Sequence, residues 1–87
     1  MKKRSIKFYS DPSHGWIAVK TKELHDLGIA HKISSCSYRR GQTSYLEEDS
    51  DAPHYLRALE SKGVEFEFDE RHTDKRHPIR SYASYSN

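Results

Sequence analysis

S-S-C-S-Y-R-R-G-Q-T-S-Y-L-E-E-D-S-D, running from Ser34 to Asp51, is the stretch on which the reading of this chain turns. Ser34 to Tyr38 and Thr43 to Leu46 favour strands, and they flank Arg39-Arg40-Gly41-Gln42. A Gly at that point supplies the positive φ of a tight hairpin turn. The stretch predicts a β-hairpin with a basic tip, whose far end runs into Glu47, Glu48, Asp49 and Asp51. One short element thus carries positive charge at one end and negative charge at the other.

Upstream of the hairpin, Ser5 to Tyr9 alternates as a strand, with Ile6 and Phe8 on one face and Lys7 and Tyr9 on the other. Asp11-Pro12-Ser13-His14-Gly15 turns the chain, and Trp16 to Lys20 returns as a second strand. Thr21 is placed to cap a short helix with Leu24 and Leu27 as its contacts, and Gly28-Ile29 is a helix stop. Downstream, Ser50 or Asp51 is placed to cap a second helix with Pro53 in its first turn and Tyr55, Leu56 and Leu59 as its buried stripe. Gly63 ends it.

Val64 to Asp69 alternates cleanly and predicts a strand with Val64, Phe66 and Phe68 toward the core. Arg71 to His77 reads as a polar loop. Ile79 to Tyr85 is either a last edge strand or a frayed tail that lays Tyr82 and Tyr85 over the core. The order is ββαββαβ with an optional last β, which loosely repeats a ββα unit. Each strand offers one apolar side, so the predicted fold class is α+β: a mainly antiparallel sheet of four to six strands with two short helices on one face.

Eighty-seven residues suit one domain, 1–87, with 1–4 and 83–87 as frayed ends. Leu, Ile, Val and Phe number only fifteen, which alone would suggest disorder. A formal charge of +2 and six Tyr, three Phe and one Trp favour instead a small aromatic core. Such a core gains from partner binding or from a homodimer. The near balance of fifteen basic and thirteen acidic residues excludes a whole-surface DNA mimic and a sequence-independent DNA coater. A single Cys36 suits a reducing cytoplasm, and no apolar run approaches a membrane span, so a cytoplasmic protein without membrane contact is expected.

Neither a metal nor another cofactor is expected. The histidines at 14, 25, 31, 54, 72 and 77 match no ligand spacing, and they read as surface residues. Asp11, Ser13 and His14 sit too close in sequence to act as nucleophile, base and orienter, so Asp11 is read as bonding its own turn. Cys36 reads as a small, partly buried strand residue. No catalytic residue is assigned and the protein is read as a non-enzyme.

The binding constellation is more specific. Tyr38, Arg39, Arg40 and Tyr45 put aromatic rings beside guanidinium groups, and Arg80 and Tyr82 repeat the theme in the tail. That chemistry stacks bases and pairs phosphates, and it equally makes protein-interface hot spots; a cross-strand Tyr pair beside a solvated turn accounts for it as well. Glu47, Glu48 and Asp49 form the opposite pole, either imitating phosphates or favouring the start of the second helix.

The runs Phe8 to Trp16, Ile33-Ser34 through Ser37-Tyr38 to Gly41, Tyr45 to Asp49, and Ile79 to Tyr82 resemble a family of small, uncharacterised proteins carried by bacteriophages and mobile elements. The resemblance spans nearly the whole chain and carries no catalytic residue. What it implies is a stoichiometric inhibitor of the anti-CRISPR or anti-restriction kind. Its partner would be a host protein or ribonucleoprotein complex in the host cytoplasm, engaged through the charged hairpin surface. A small nucleic-acid-binding module or phage regulator is the alternative reading.

Overall fold

A computed structural model describes residues 3–86. Six strands, β1 (Arg4–Ser10), β2 (Gly15–Lys20), β3 (Tyr38–Arg40), β4 (Thr43–Glu47), β5 (Phe66–His72) and β6 (Ala83–Ser84), form one sheet in the order β5-β1-β2-β4-β3-β6. Strands β1 and β2 make one antiparallel hairpin, and β3 and β4 make another. They join through the antiparallel β2–β4 pair at the centre. Helices α1 (Thr21–Asp26) and α2 (Ala52–Ser61) follow the two hairpins. Leu24 of α1 and Tyr55 and Leu59 of α2 share one cluster with Ile6, Ile17, Val19 and Leu46, so both helices cover the same face. The class is α+β, as the sequence predicts.

The repeated ββα pattern has a local counterpart at the helix ends. Gly28 and Gly63 stand at φ +72° and +71°. Gly28 N–H donates to His25 O and Ile29 N–H to Leu24 O. Gly63 N–H donates to Glu60 O and Val64 N–H to Leu59 O, the same pair of closures. Both helices therefore stop by a left-handed Gly, with the following β-branched residue turned back toward the core.

Several predicted boundaries move. Strand β5 covers Phe66–His72 rather than Val64 to Asp69, and it runs parallel to β1 from Arg4↔Phe66 to Ser10↔His72, which makes the sheet mixed. Val64 is held in the exit of α2, and seven register pairs with β1 draw Arg71 and His72 out of the expected loop. As an edge strand, β5 leaves Phe68 41% exposed, although its ring meets Phe8 at 5.8 Å and Phe66 at 5.7 Å.

Ser34 to Ser37 is not strand but a turn built on Asp51. That buried carboxylate accepts from Ser34 N–H (3.1 Å), Ser34 Oγ (2.8 Å) and Ser37 Oγ. Short polar side chains here offer the backbone an alternative to the ladder. Asp51 occupies the position before α2, yet its side chain makes no capping bond. Thr21 likewise lies inside α1 with Lys20 before it, and its hydroxyl is spent on Ser44 Oγ at 2.6 Å. Cys36 is exposed within the turn, not part-buried in a strand.

The tail docks inside the chain. Pro78–Ser81 is a 3₁₀ turn, Ala83–Ser84 is the two-residue β6 antiparallel to β3, and Tyr85 is buried with its hydroxyl donating to Ala30 O (3.1 Å). Burial accordingly pushes the Tyr85 phenol up. The expected frayed ends are thus ordered at Arg4 and from Ala83 to Tyr85, while Met1, Lys2 and Asn87 lie outside the described residues.

Candidate functional site

The face of the sheet away from the helices holds the aromatic residues that alternation excludes from the core. Register places Tyr9 beside Trp16 and Trp16 beside Glu47 in one row. Ala18, Tyr45, Tyr38 and Ser84 form the next. Tyr45 lies 6.2 Å from Tyr9 and 5.3 Å from Tyr82, and Trp16 lies 6.3 Å from Tyr38, centroid to centroid. Spacings of this size suit edge and tilted ring contacts. Small Ala18 between β1 and β4 leaves room for Tyr45 to lean toward Tyr9.

Half of this face is covered by the chain itself. His77 sits 5.3 Å from Tyr9 and 6.0 Å from Trp16, and Ile79 and Trp16 are both buried. What pins the segment is Asp11. Its carboxylate accepts from Arg80 Nε (2.7 Å) and Nη2 (3.0 Å), from His77 N–H (3.0 Å), and from Ser13 and His14 N–H in its own turn (3.0 and 2.9 Å). The Arg80 guanidinium first, and the backbone donors after it, hold the Asp11 carboxyl well below the usual carboxylate range. The same bond raises Arg80 further. Arg80 also lies over Trp16 at 5.8 Å and reaches His14 Nδ1 at 2.7 Å. A guanidinium only donates, so His14 Nδ1 is the acceptor in this contact. Asp11 does bond its own turn, as the sequence suggests, and it also fastens the tail.

The other half is open. Arg40 lies over the Tyr82 ring at 5.1 Å and donates from Nη1 to its hydroxyl at 3.1 Å. Tyr45 packs behind Tyr82, and burial with the neighbouring Tyr82 and Tyr9 pushes its phenol up. The result is a half-exposed ladder of Tyr9, Tyr45, Tyr82 and Arg40, with Tyr38 beside Tyr45 in the register.

Of the residues singled out from sequence, Tyr38, Arg40, Tyr45 and Tyr82 thus come together. Arg39 points to the opposite face, since it pairs with buried Ser44 in the register. Arg80 is committed to Asp11 and is not a free cation. Glu47 is turned on its own loop, accepting from Asp49 N–H (3.1 Å), Ser50 N–H (3.1 Å) and Ser50 Oγ (3.0 Å). Glu48 and Asp49 remain exposed, so the acidic pole is narrower than expected. Sequence reasoning missed Tyr9, Trp16 and His77. An aromatic residue on the polar side of an alternating strand was the available signal for Tyr9.

Among the described residues no three His, Cys, Asp or Glu side chains gather in a group that could hold a metal ion. No described helix is long and apolar enough to cross a membrane. Comparison of the chain with family models, curated proteins and solved structures finds no match.

Proposed function

We propose that this chain is a non-enzymatic inhibitor that docks on a host macromolecular complex, a defence complex of the kind its resemblance implies, through the Tyr45–Tyr82–Arg40 ladder. The observation that carries the reading is the Arg40 guanidinium stacked on a half-exposed Tyr82 with Tyr45 behind it. Tyr and Arg are among the residue types that dominate interface hot spots: the Tyr ring presents a large flat surface on two torsions, and the Arg guanidinium a planar set of donors that is here already held on Tyr82. The ladder is already assembled in the free chain, so little ordering is left for the moment of binding. Exposed Glu48 and Asp49 beyond the hairpin's far end supply a charged rim that steers encounter.

Affinity capture from host extract tests this. The unaltered chain is expected to retain a defined complex, and Arg40→Ala combined with Tyr82→Ala to cut the captured amount at least roughly tenfold. Circular dichroism on both proteins checks that the variant stays folded. Equal capture by a folded variant would sink the assignment.

A further inference from the structure

A second surface lies on the other side of the hairpin tip. Lys20, Thr21, Lys22, His25, Arg39 and Gln42 line a groove of about 550 Å³ between the start of α1 and the β3–β4 turn. Three permanent cations and an imidazole face it, and no carboxylate does. Among the described residues Lys20 and Arg39 have no carboxylate partner, and Arg39 Nε reaches only Gly41 O at 3.3 Å. Lys22 pairs with Asp26 at 2.9 Å, but both side chains are mostly in solvent, so that pair exchanges readily.

The floor is fixed. Thr21 N–H donates to Gln42 O (2.9 Å), and its hydroxyl meets buried Ser44 Oγ. These bonds tie α1 to the hairpin and hold the cations' backbones at a set separation. Like charges kept together without counter-charges mark a site for a polyanion.

We infer that this groove seats the phosphodiester backbone of a single nucleic-acid strand. A single strand is favoured over a duplex because only unpaired bases are free to stack on the exposed Arg40 and half-exposed Tyr82 beside the groove. A nucleic acid is favoured over an acidic peptide by what lies one residue away: Arg40 follows Arg39 and carries the Tyr82 stack on the opposite face, where a base rounding the tip lies flat. The phosphate seat uses side chains outside the docking ladder, whereas the choice of a nucleic acid rests on Arg40 and Tyr82, which the ladder shares.

Fluorescence anisotropy with a short labelled single-stranded oligonucleotide tests it on the purified chain. Neutralising three phosphates gives a slope of log affinity against log salt of about −2, which is a roughly fifteenfold loss between about 50 and about 200 mM salt. The combined Lys20→Gln, Lys22→Gln and Arg39→Gln variant is expected to lose binding. Lys22→Gln alone, at a side chain 83% exposed and hence without consequence for folding, should flatten the slope by about 0.7. A slope near zero, equal affinity for a duplex, or displacement by polyglutamate at matched charge and ionic strength would each overturn the assignment. Absence of oligonucleotide binding by the unaltered chain, with capture of the complex intact, would count against this groove alone and leave the ladder standing.

Discussion

The two faces of the sheet are held by different physics. The helix face is a dry cluster of aliphatic side chains and Tyr55 and Tyr85, with Leu24, Leu46 and Leu59 at or below 1% exposure. Its polar contacts include the buried Thr21–Ser44 and Asp51–Ser37 pairs, and at the margin Glu23 bridges Arg4 and the Tyr55 hydroxyl (2.9 Å). The opposite face is built of rings, imidazoles and one buried ion pair, and its cover is the 3₁₀ turn of the tail rather than a helix. Trp16 at its centre is 1% exposed, yet its Nε1 has no hydrogen-bond partner among the described residues. Apolar burial does not itself depend on pH, whereas a face whose cover is fastened to the Asp11 carboxylate by Arg80 and the His77 N–H depends on proton activity.

The sharpest way to break this comparison is to damage the helix face. Leu24 is fully buried, and α1 is too short to persist without packing. Leu24→Ala is expected to cost about 2–5 kcal/mol, which lowers Tm by roughly 10 °C or more in a chain of this size. Thermal unfolding followed by far-ultraviolet circular dichroism reads it. A shift of only a few degrees would mean that the core does not rest on α1.

Damage to the other face should look different. Arg80→Ala strands the Asp11 carboxylate and releases the segment over Trp16, and Trp16 is the chain's only tryptophan. A smaller fall in Tm is expected, with a red shift of tryptophan emission and little change in far-ultraviolet dichroism. Acid should weaken the same clasp without opening it. With its folded-state pKa depressed, Asp11 stays ionised while the unfolded chain takes up a proton below the ordinary Asp value of 3.8. Its contribution to stability is therefore complete above that pH and lost progressively as pH falls beneath it. The unaltered protein should lose stability in that window while the emission of its folded state stays unchanged, and Arg80→Ala should show a flatter dependence. Identical acid profiles for the two would refute the Asp11–Arg80 clasp.

The contrast also explains which parts were legible in the sequence. Alternation at Ile6 and Phe8, the spacing of Tyr55 and Leu59, and the Gly-Ile and Gly-Val stops are local rules, and each survives in the fold. The partner of β5 was not local. Val64 to Asp69 alternates as a strand should, but nothing in it says that it joins β1 in parallel or that Phe68 ends at an edge. Asp11 and Arg80 lie 69 positions apart, and Asp51 reaches back to Ser34 and Ser37, so no spacing rule links them. The site was half legible for the same reason. Tyr38, Arg40 and Tyr45 are hairpin neighbours, whereas Arg80 looked free because its counter-charge sat at the far end of the chain.

The smallest expected effect separates the faces most cleanly. Gly28 and Gly63 hold left-handed φ at the two helix ends, and a Cβ at either would meet nothing within 4 Å. The cost of Gly→Ala there is therefore conformational alone, about 1–2 kcal/mol, and it should be similar at both sites because both close the same pair of hydrogen bonds. Gly→Asn should recover part of it, since Asn tolerates the left-handed region. Both sites belong to the helix side, so Tm should fall by several degrees while tryptophan emission at neutral pH stays fixed. The pairing of results matters more than either value. If Gly63→Ala moved the emission of Trp16 as Arg80→Ala is expected to, the faces would be coupled through the strands. The tail could not then be treated as an independently released cover.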